Sequence, residues 1–169
     1  MTPLIRAARP PDAAALAAVH AASWRASYGP FVPAEALGAP LDANMRARWG
    51  TWPADRLIRV AEQDGDIVGF GAVERGAPPL LDNLHVSPAV RSGGIGGALF
   101  RAICAGLTAE ASAELRLIVI EANPAARRFY QRLGGVEGAP VEDTLLGNPV
   151  RMVPVRFSGA VLCALSQEL

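Results

Sequence analysis

A chain of 169 residues is the length of one domain, and 51% apolar residues are enough to fill a sizeable core. Sixteen basic residues, all of them arginine, balance sixteen acidic ones, and zero net charge speaks against nucleic acid as an obligate partner. Cys104 and Cys163 lie far apart with no C-x-x-C, which implies neither a disulfide framework nor a zinc site, and no apolar run approaches the ~18 residues of a membrane span.

The N-terminus carries Arg6 and Arg9 but no continuous apolar stretch, so it does not read as a secretory signal, and a reducing cytoplasm is the expected compartment. Residues 2–8 read as a short strand. Pro10-Pro11-Asp12 suits the first turn of a helix over 13–23, with Leu16, Val19 and His20 inward. Trp24 and Tyr28 then flank Arg25 ahead of a Gly29-Pro30 break; two readings stay open, aromatics that plug the core or a wall of a substrate pocket. Residues 31–52 alternate short helical pieces with Gly38, Pro40 and Gly50 and close on Trp49 and Trp52. Arg56–Gln63 and Asp66–Glu74 form a strand pair around the turn signal Asp64-Gly65. After a loop over 76–79, Leu80–Val86 is a strand closed by Pro88.

Arg91, Ser92, Gly93, Gly94, Ile95, Gly96 and Gly97 follow that strand, and Ile95, Leu99, Ile103 and Leu107 recur every fourth position as a helix face. A loop rich in glycine therefore ends at a helix N-terminus. Backbone N–H groups there lack intrahelical partners, the dipole end is positive, and no Cβ keeps a bulky anion away. It is not a dinucleotide fingerprint, since counting from Gly94 puts Leu99 where the third glycine belongs, nor a P-loop, since there is no lysine. Residues 114–121 read as a buried strand. Asn123-Pro124 opens a helix over 125–133 that stops at Gly134-Gly135. Residues 135–139 read as irregular and 150–157 as a last strand, where Pro154 calls for a bulge or an edge. Residues 158–169 form a tail without an evident role.

Arg91-x-x-Gly94-x-Gly96 after a strand ending Leu84-His85-Val86 resembles motif A of the GNAT superfamily of N-acetyltransferases. Asn123, Ala126, Phe129-Tyr130 and Leu133-Gly134 resemble motif B of the same superfamily, in the expected order. The resemblance covers about residues 3–157; Gly135 departs from it, where many relatives carry Phe. It implies a single mixed α/β domain over 1–169, a bent sheet of about six or seven strands with helices on both faces. In such a fold the strand Leu80–Val86 bulges and splays from the parallel strand 114–121.

The resemblance also implies acetyl-CoA as co-substrate, with no metal. Its pyrophosphate would lie on Arg91, Ser92, Gly93, Gly94, Ile95, Gly96 and Gly97. Its pantetheine arm would pair with the backbone of Leu84 and Val86, and Asn123, Arg127 and Tyr130 would complete the site. Acetyl would pass to a primary amine of a small molecule, peptide or protein, beside Trp24 and Tyr28; neither a nucleic acid nor a membrane is implied as partner, and a homodimer is compatible. The alternative from another class is an acetyl-CoA-binding regulatory domain without turnover. Tyr130 favours the enzyme, since it matches the acid that protonates the departing thiolate.

An alkylammonium has a pKa of about 10, so a base must take its proton before the nitrogen can attack. Asp82 lies two residues before Leu84, which places it on the same face of a regular strand. Glu121 closes the neighbouring strand. His85 has a suitable pKa but faces away from Leu84, and a water relay stays open beside these three.

Overall fold

The computed structural model describes residues 3–90 and 93–168. In chain order the elements are β1 (Leu4–Ala7), α1 (Ala13–Tyr28), α2 (Ala39–Gly50), β2 (Arg56–Gln63), β3 (Asp66–Glu74), β4 (Leu80–Val86) and α3 (Ile95–Ala109). They continue with β5 (Glu114–Ile120), α4 (Pro124–Arg132), β6 (Val136–Glu137), β7 (Val141–Leu145), β8 (Asn148–Ser158) and α5 (Gly159–Ser166). The strands make one sheet in the order β1-β2-β3-β4-β5-β8-β6, with β7 also on β8. That is eight strands among the described residues, where about six or seven were expected. The pairings are antiparallel except that of β4 with β5.

Local sequence explains the joints. Asp64 and Gly65 both take positive φ, which makes the two-residue turn that joins β2 to β3. Leu146 and Gly147 do the same between β7 and β8, a hairpin that the sequence hid behind a leucine in a turn position. Asn123 caps α4 by accepting the Ala126 N–H on Oδ1 at 3.1 Å. Gly135 sits where a Cβ would stand 2.8 Å from the Phe157 ring, so here β8 supplies the aromatic filling.

Two expectations need correction. Pro154 belongs neither to an edge nor to a bulge: β8 is interior, paired with β5 on one side and with β6 and β7 on the other. Its carbonyl accepts the Gly138 N–H, so its missing donor faces the corner between β6 and β7, where no ladder bond is required. Residues 158–169 are not a tail without a role. Ser158 caps α5 by accepting the Val161 N–H, and Leu162 and Leu165 are buried with Phe100 and Leu107.

The sheet separates two cores. On one face α1 and α2 bury Leu16, Leu41, Met45 and Trp49 against Val60 and Phe70. On the other, α3 and α5 bury Phe100, Ile103, Cys104 and Leu162 against Leu115 and Phe157. Each buried Leu or Phe contributes about 1.5–3 kcal/mol by leaving water. With both faces covered, the place left for a ligand is an interruption in the sheet itself, between β4 and β5.

Candidate active site

Between β4 and β5 the register holds at a single pair, Leu80 with Arg116; beyond it the two strands part. The opening is a cleft lined by both strands, the start of α3, α4 and the end of α1. Its apolar floor includes Ile118, which is 43% exposed although it stands mid-strand.

Alternation fixes what β4 offers to this gap. Ser87 donates its N–H to Val68 of β3, so by alternation the backbone groups of Leu84 and Val86 point the other way, into the cleft. Both residues line it. The N-terminus of α3 closes one end. Gly94 precedes the helix with φ +75°, a left-handed conformation that favours glycine. A Cβ there would meet nothing within 4 Å. The N–H groups of that turn, at Ile95, Gly96 and Gly97, have no intrahelical acceptor, the helix ladder beginning with the Ala98 N–H to Gly94. Arg91 and Ser92 lie outside the described residues.

On the far side α4 presents Asn123, Ala126, Phe129 and Tyr130 to the cleft. The Tyr130 ring packs edgewise on Phe129, with centroids 5.0 Å apart, and on Phe100 at 5.9 Å. Burial, and secondarily the nearby Tyr28 phenol, pushes the Tyr130 hydroxyl well above the usual phenol range. It therefore keeps its proton at any ordinary pH. Burial also raises Tyr28, which lines the same cleft.

Asp82 departs from expectation. Ala72 pairs with Asn83 and Val73 with Leu81, so Asp82 has no partner in β3 and forms a bulge. The bulge breaks the strict alternation, and the carboxylate comes out toward α2 rather than beside Leu84. There its Oδ2 accepts from Arg48, from Arg56 at 2.8 Å and from Asn83 Nδ2 at 2.7 Å. Glu121 also lies elsewhere: it is not among the residues lining the cleft, and its carboxylate pairs with Arg151 of β8 at 3.3 Å. Arg127 is committed in the same way. Its guanidinium makes a two-toothed bond to Glu137 at 2.9 and 2.7 Å, and a third to the Glu121 carbonyl, tying α4 to β6 instead of facing the cleft. The pair holds Arg127 above and Glu137 below their ordinary pKa.

His85 faces away from Leu84, as alternation requires, yet it still lines the cleft from the α1 side. Its Nδ1 lies 3.1 Å from Ser23 Oγ, and its ring stacks on His20 with centroids 4.4 Å apart. Trp24 lies one step away, in a neighbouring cavity that shares Asp82 and Asn83 with the cleft. His20, Arg48 and Asn83 belong to that cavity; the sequence placed His20 inward on its helix without a role and did not single out Arg48 or Asn83. His20 gave a faint signal, a lone histidine four residues before Trp24 on one helix face; Arg48 and Asn83 gave none. Among the described residues no cluster of His, Cys, Asp and Glu is suited to a metal, and no helix is long and apolar enough to cross a membrane.

The family model for the acetyltransferase (GNAT) domain matches residues 54–134. An uncharacterized N-acetyltransferase of Mycobacterium tuberculosis is 32% identical over 128 residues, which are 73% of this chain and 82% of the relative. A GCN5-related N-acetyltransferase of Rhodopseudomonas palustris superposes with a TM-score of 0.77 at 25% identity, over 94% of this chain and 96% of the other. The PaiA N-acetyltransferase of Thermoplasma acidophilum, solved in complex with coenzyme A, superposes with a TM-score of 0.72 at 21% identity, over 90% of this chain and 98% of its own.

Proposed function

Since the chain belongs to the GNAT family of acetyltransferases, we propose that it moves the acetyl group of acetyl-CoA onto a primary amine of a small molecule or peptide, by direct attack in the β4–β5 cleft. The observation that carries this reading is the open edge of β4. Backbone groups of Leu84 and Val86 face a gap that begins at the glycine-rich start of α3 and passes Tyr130. A pantetheine arm is a chain of amides and suits such an edge. The bound coenzyme in the Thermoplasma protein supports the same reading.

Acetyl-CoA would supply an acetyl group already activated as a thioester; the remaining work falls to the chain. The first turn of α3 holds the pyrophosphate with N–H groups and its positive dipole end. The Leu84 N–H donates to the thioester oxygen as negative charge develops on it. Tyr130 donates its proton to the departing sulfur. Its raised pKa keeps that proton available, and the same apolar walls make a thiolate beside it more basic than in water.

For the base, the titratable residues lining the cleft are Tyr28, Asp82, His85 and Tyr130. The two phenols hold their protons. Asp82 already accepts from Arg48, Arg56 and Asn83, so its carboxylate is committed to those donors. We assign the role to His85, directly or through a water molecule. The test is free-thiol release from acetyl-CoA across a panel of amines, together with melting in its presence. At a hundred times its Kd the ligand adds about 2.7 kcal/mol, roughly 5–10 °C for a chain of this size. A melting point unmoved by saturating CoA would end the reading; a shift without thiol release would make this a domain that binds acetyl-CoA without turnover.

A further inference from the structure

Beside the cleft, on the α2 side of the Asp82 bulge, lies a second cavity bounded by α1, α2, β4 and the turn residue Leu146. Among the described residues three buried side-chain polar atoms lack a hydrogen-bond partner, and two of the three, His20 Nε2 and Trp24 Nε1, belong to residues that line this cavity. The Trp24 indole nitrogen is a donor only. His20 is fixed as a donor too: the Trp49 indole N–H donates to His20 Nδ1 at 3.2 Å, so Nδ1 is the acceptor and Nε2 carries the hydrogen. His20 is 1% exposed, too deeply buried to offset the loss with bulk water.

Two buried N–H groups left unmet are costly, and a site built this way rewards an acceptor that meets both. Arg48, part exposed at the same cavity, gives one N–H to Asp82 and carries further N–H donors on its guanidinium. The cavity's own carboxylate offers little to a cation, because Asp82 already accepts from Arg48, Arg56 and Asn83. What remains unsatisfied is therefore donors, not acceptors. The cavity shares Asp82 and Asn83 with the cleft, so a molecule lying across that boundary can keep one end in the cleft and the other here.

We infer that this cavity seats a carboxylate carried by the acceptor molecule, so that the substrate is a small amino acid rather than a plain alkylamine or a polyamine. The inference rests on the acetyltransferase reading above for its amine end, and on the cavity alone for its carboxylate end. The two ends are tested by separate readouts.

The probes are three matched series: glycine, 3-aminopropanoate and 4-aminobutanoate; ethylamine, propylamine and butylamine; and the corresponding diamines. The protein has three tryptophans, and Trp24→Phe identifies the Trp24 indole N–H resonance by its loss. In ¹⁵N-labelled wild-type protein with CoA present, that resonance should move when an amino acid is added and stay still with alkylamine or diamine. In the acetylation assay the preferred amino acid should exceed its alkylamine and diamine counterparts by about tenfold or more in kcat/KM, and Trp24→Phe should lose about tenfold on it through KM. Should Trp24→Phe not fold, the wild-type selectivity still decides. Turnover that ignores the carboxylate, or favours the diamine, with the indole resonance unmoved, overturns the inference and leaves the acetyltransferase reading standing. A resonance that moves with amino acids while no amine is acetylated supports the cavity and ends the acetyltransferase reading.

Discussion

Trp49 donates its indole N–H to Nδ1 of His20 across 3.2 Å, with both residues fully buried between α1, α2 and the sheet. The bond fixes one tautomer of a histidine that cannot charge where it stands. Burial is the main cause, and the neighbouring His85 and Arg48 add to it; together they lower His20 from 6.5 to about 2.

That depression has a sign. Between pH 2 and 6.5 the unfolded chain binds a proton at His20 that the folded chain refuses, so stability is present above 6.5 and is lost as the pH falls. From pH 7 to 5 this one group should remove about 2 kcal/mol. Urea unfolding of wild type and His20→Gln over that range measures it. The variant should show a flatter dependence. Parallel curves would mean that His20 charges in the folded state.

His85→Gln and Asp82→Asn separate the two candidates for the base. With His85 as proton acceptor, His85→Gln should lower kcat by 10²–10⁴-fold with CoA affinity unchanged. Asp82→Asn should keep the acidic limb of the pH–rate profile, because it removes one partner of an ion-pair cluster and leaves His85 in place. As the partner of Arg48 and Arg56 at a half-exposed site, it should cost about 1 kcal/mol in stability. Loss of the acidic limb in Asp82→Asn would return the role to the carboxylate.

Gly94→Ala should weaken CoA binding, and Gly147→Ala supplies the control. Both glycines have φ near +75° and a vacant Cβ position, so each substitution should cost about 1–2 kcal/mol of backbone strain. Only Gly94 stands at the N-cap of α3. Calorimetry should find CoA affinity reduced in Gly94→Ala alone; equal affinity in the two folded variants would remove this turn from the binding site.

Local signals in the sequence carried the fold furthest. The β2–β3 hairpin begins and ends at the residues that Asp64-Gly65 and the flanking alternation indicate, and the α3 face runs through Ile95, Leu99 and Ile103. What escaped depended on tertiary partners. The helix α5 is only eight residues long, and its Leu162 and Leu165 gain their place from Phe100 and Leu107. For the site, β4 and α4 could be placed because their motifs are contiguous, as Leu84, Val86, Asn123 and Tyr130 show. Asp82 could not, because its direction is set by a bulge against β3 that no spacing within β4 reveals. Arg127 sits on the right helix, but its charge is claimed by Glu137 from an unforeseen strand.

The Tyr130 phenol gives the sharpest test of chemistry in the cleft. Its ring is held by Phe129, Phe100 and Phe157, so Tyr130→Phe keeps the packing and removes only the hydroxyl. Ground-state CoA binding should barely change, because the hydroxyl serves the transition state. General acid catalysis typically contributes 10²–10⁴-fold, and kcat should fall by about that range. The loss should shrink for a thioester whose leaving thiol is more acidic, since that thiolate needs a proton less. Because burial holds Tyr130 above the usual phenol range, its deprotonation should give the wild-type enzyme no alkaline limb below pH 10. The measurements are kcat and KM of both proteins for two thioesters, and CoA affinity by calorimetry. A loss in kcat below about threefold would reduce Tyr130 to packing. A large loss of CoA affinity with kcat preserved would make it a binding residue, and solvent would have to supply the proton.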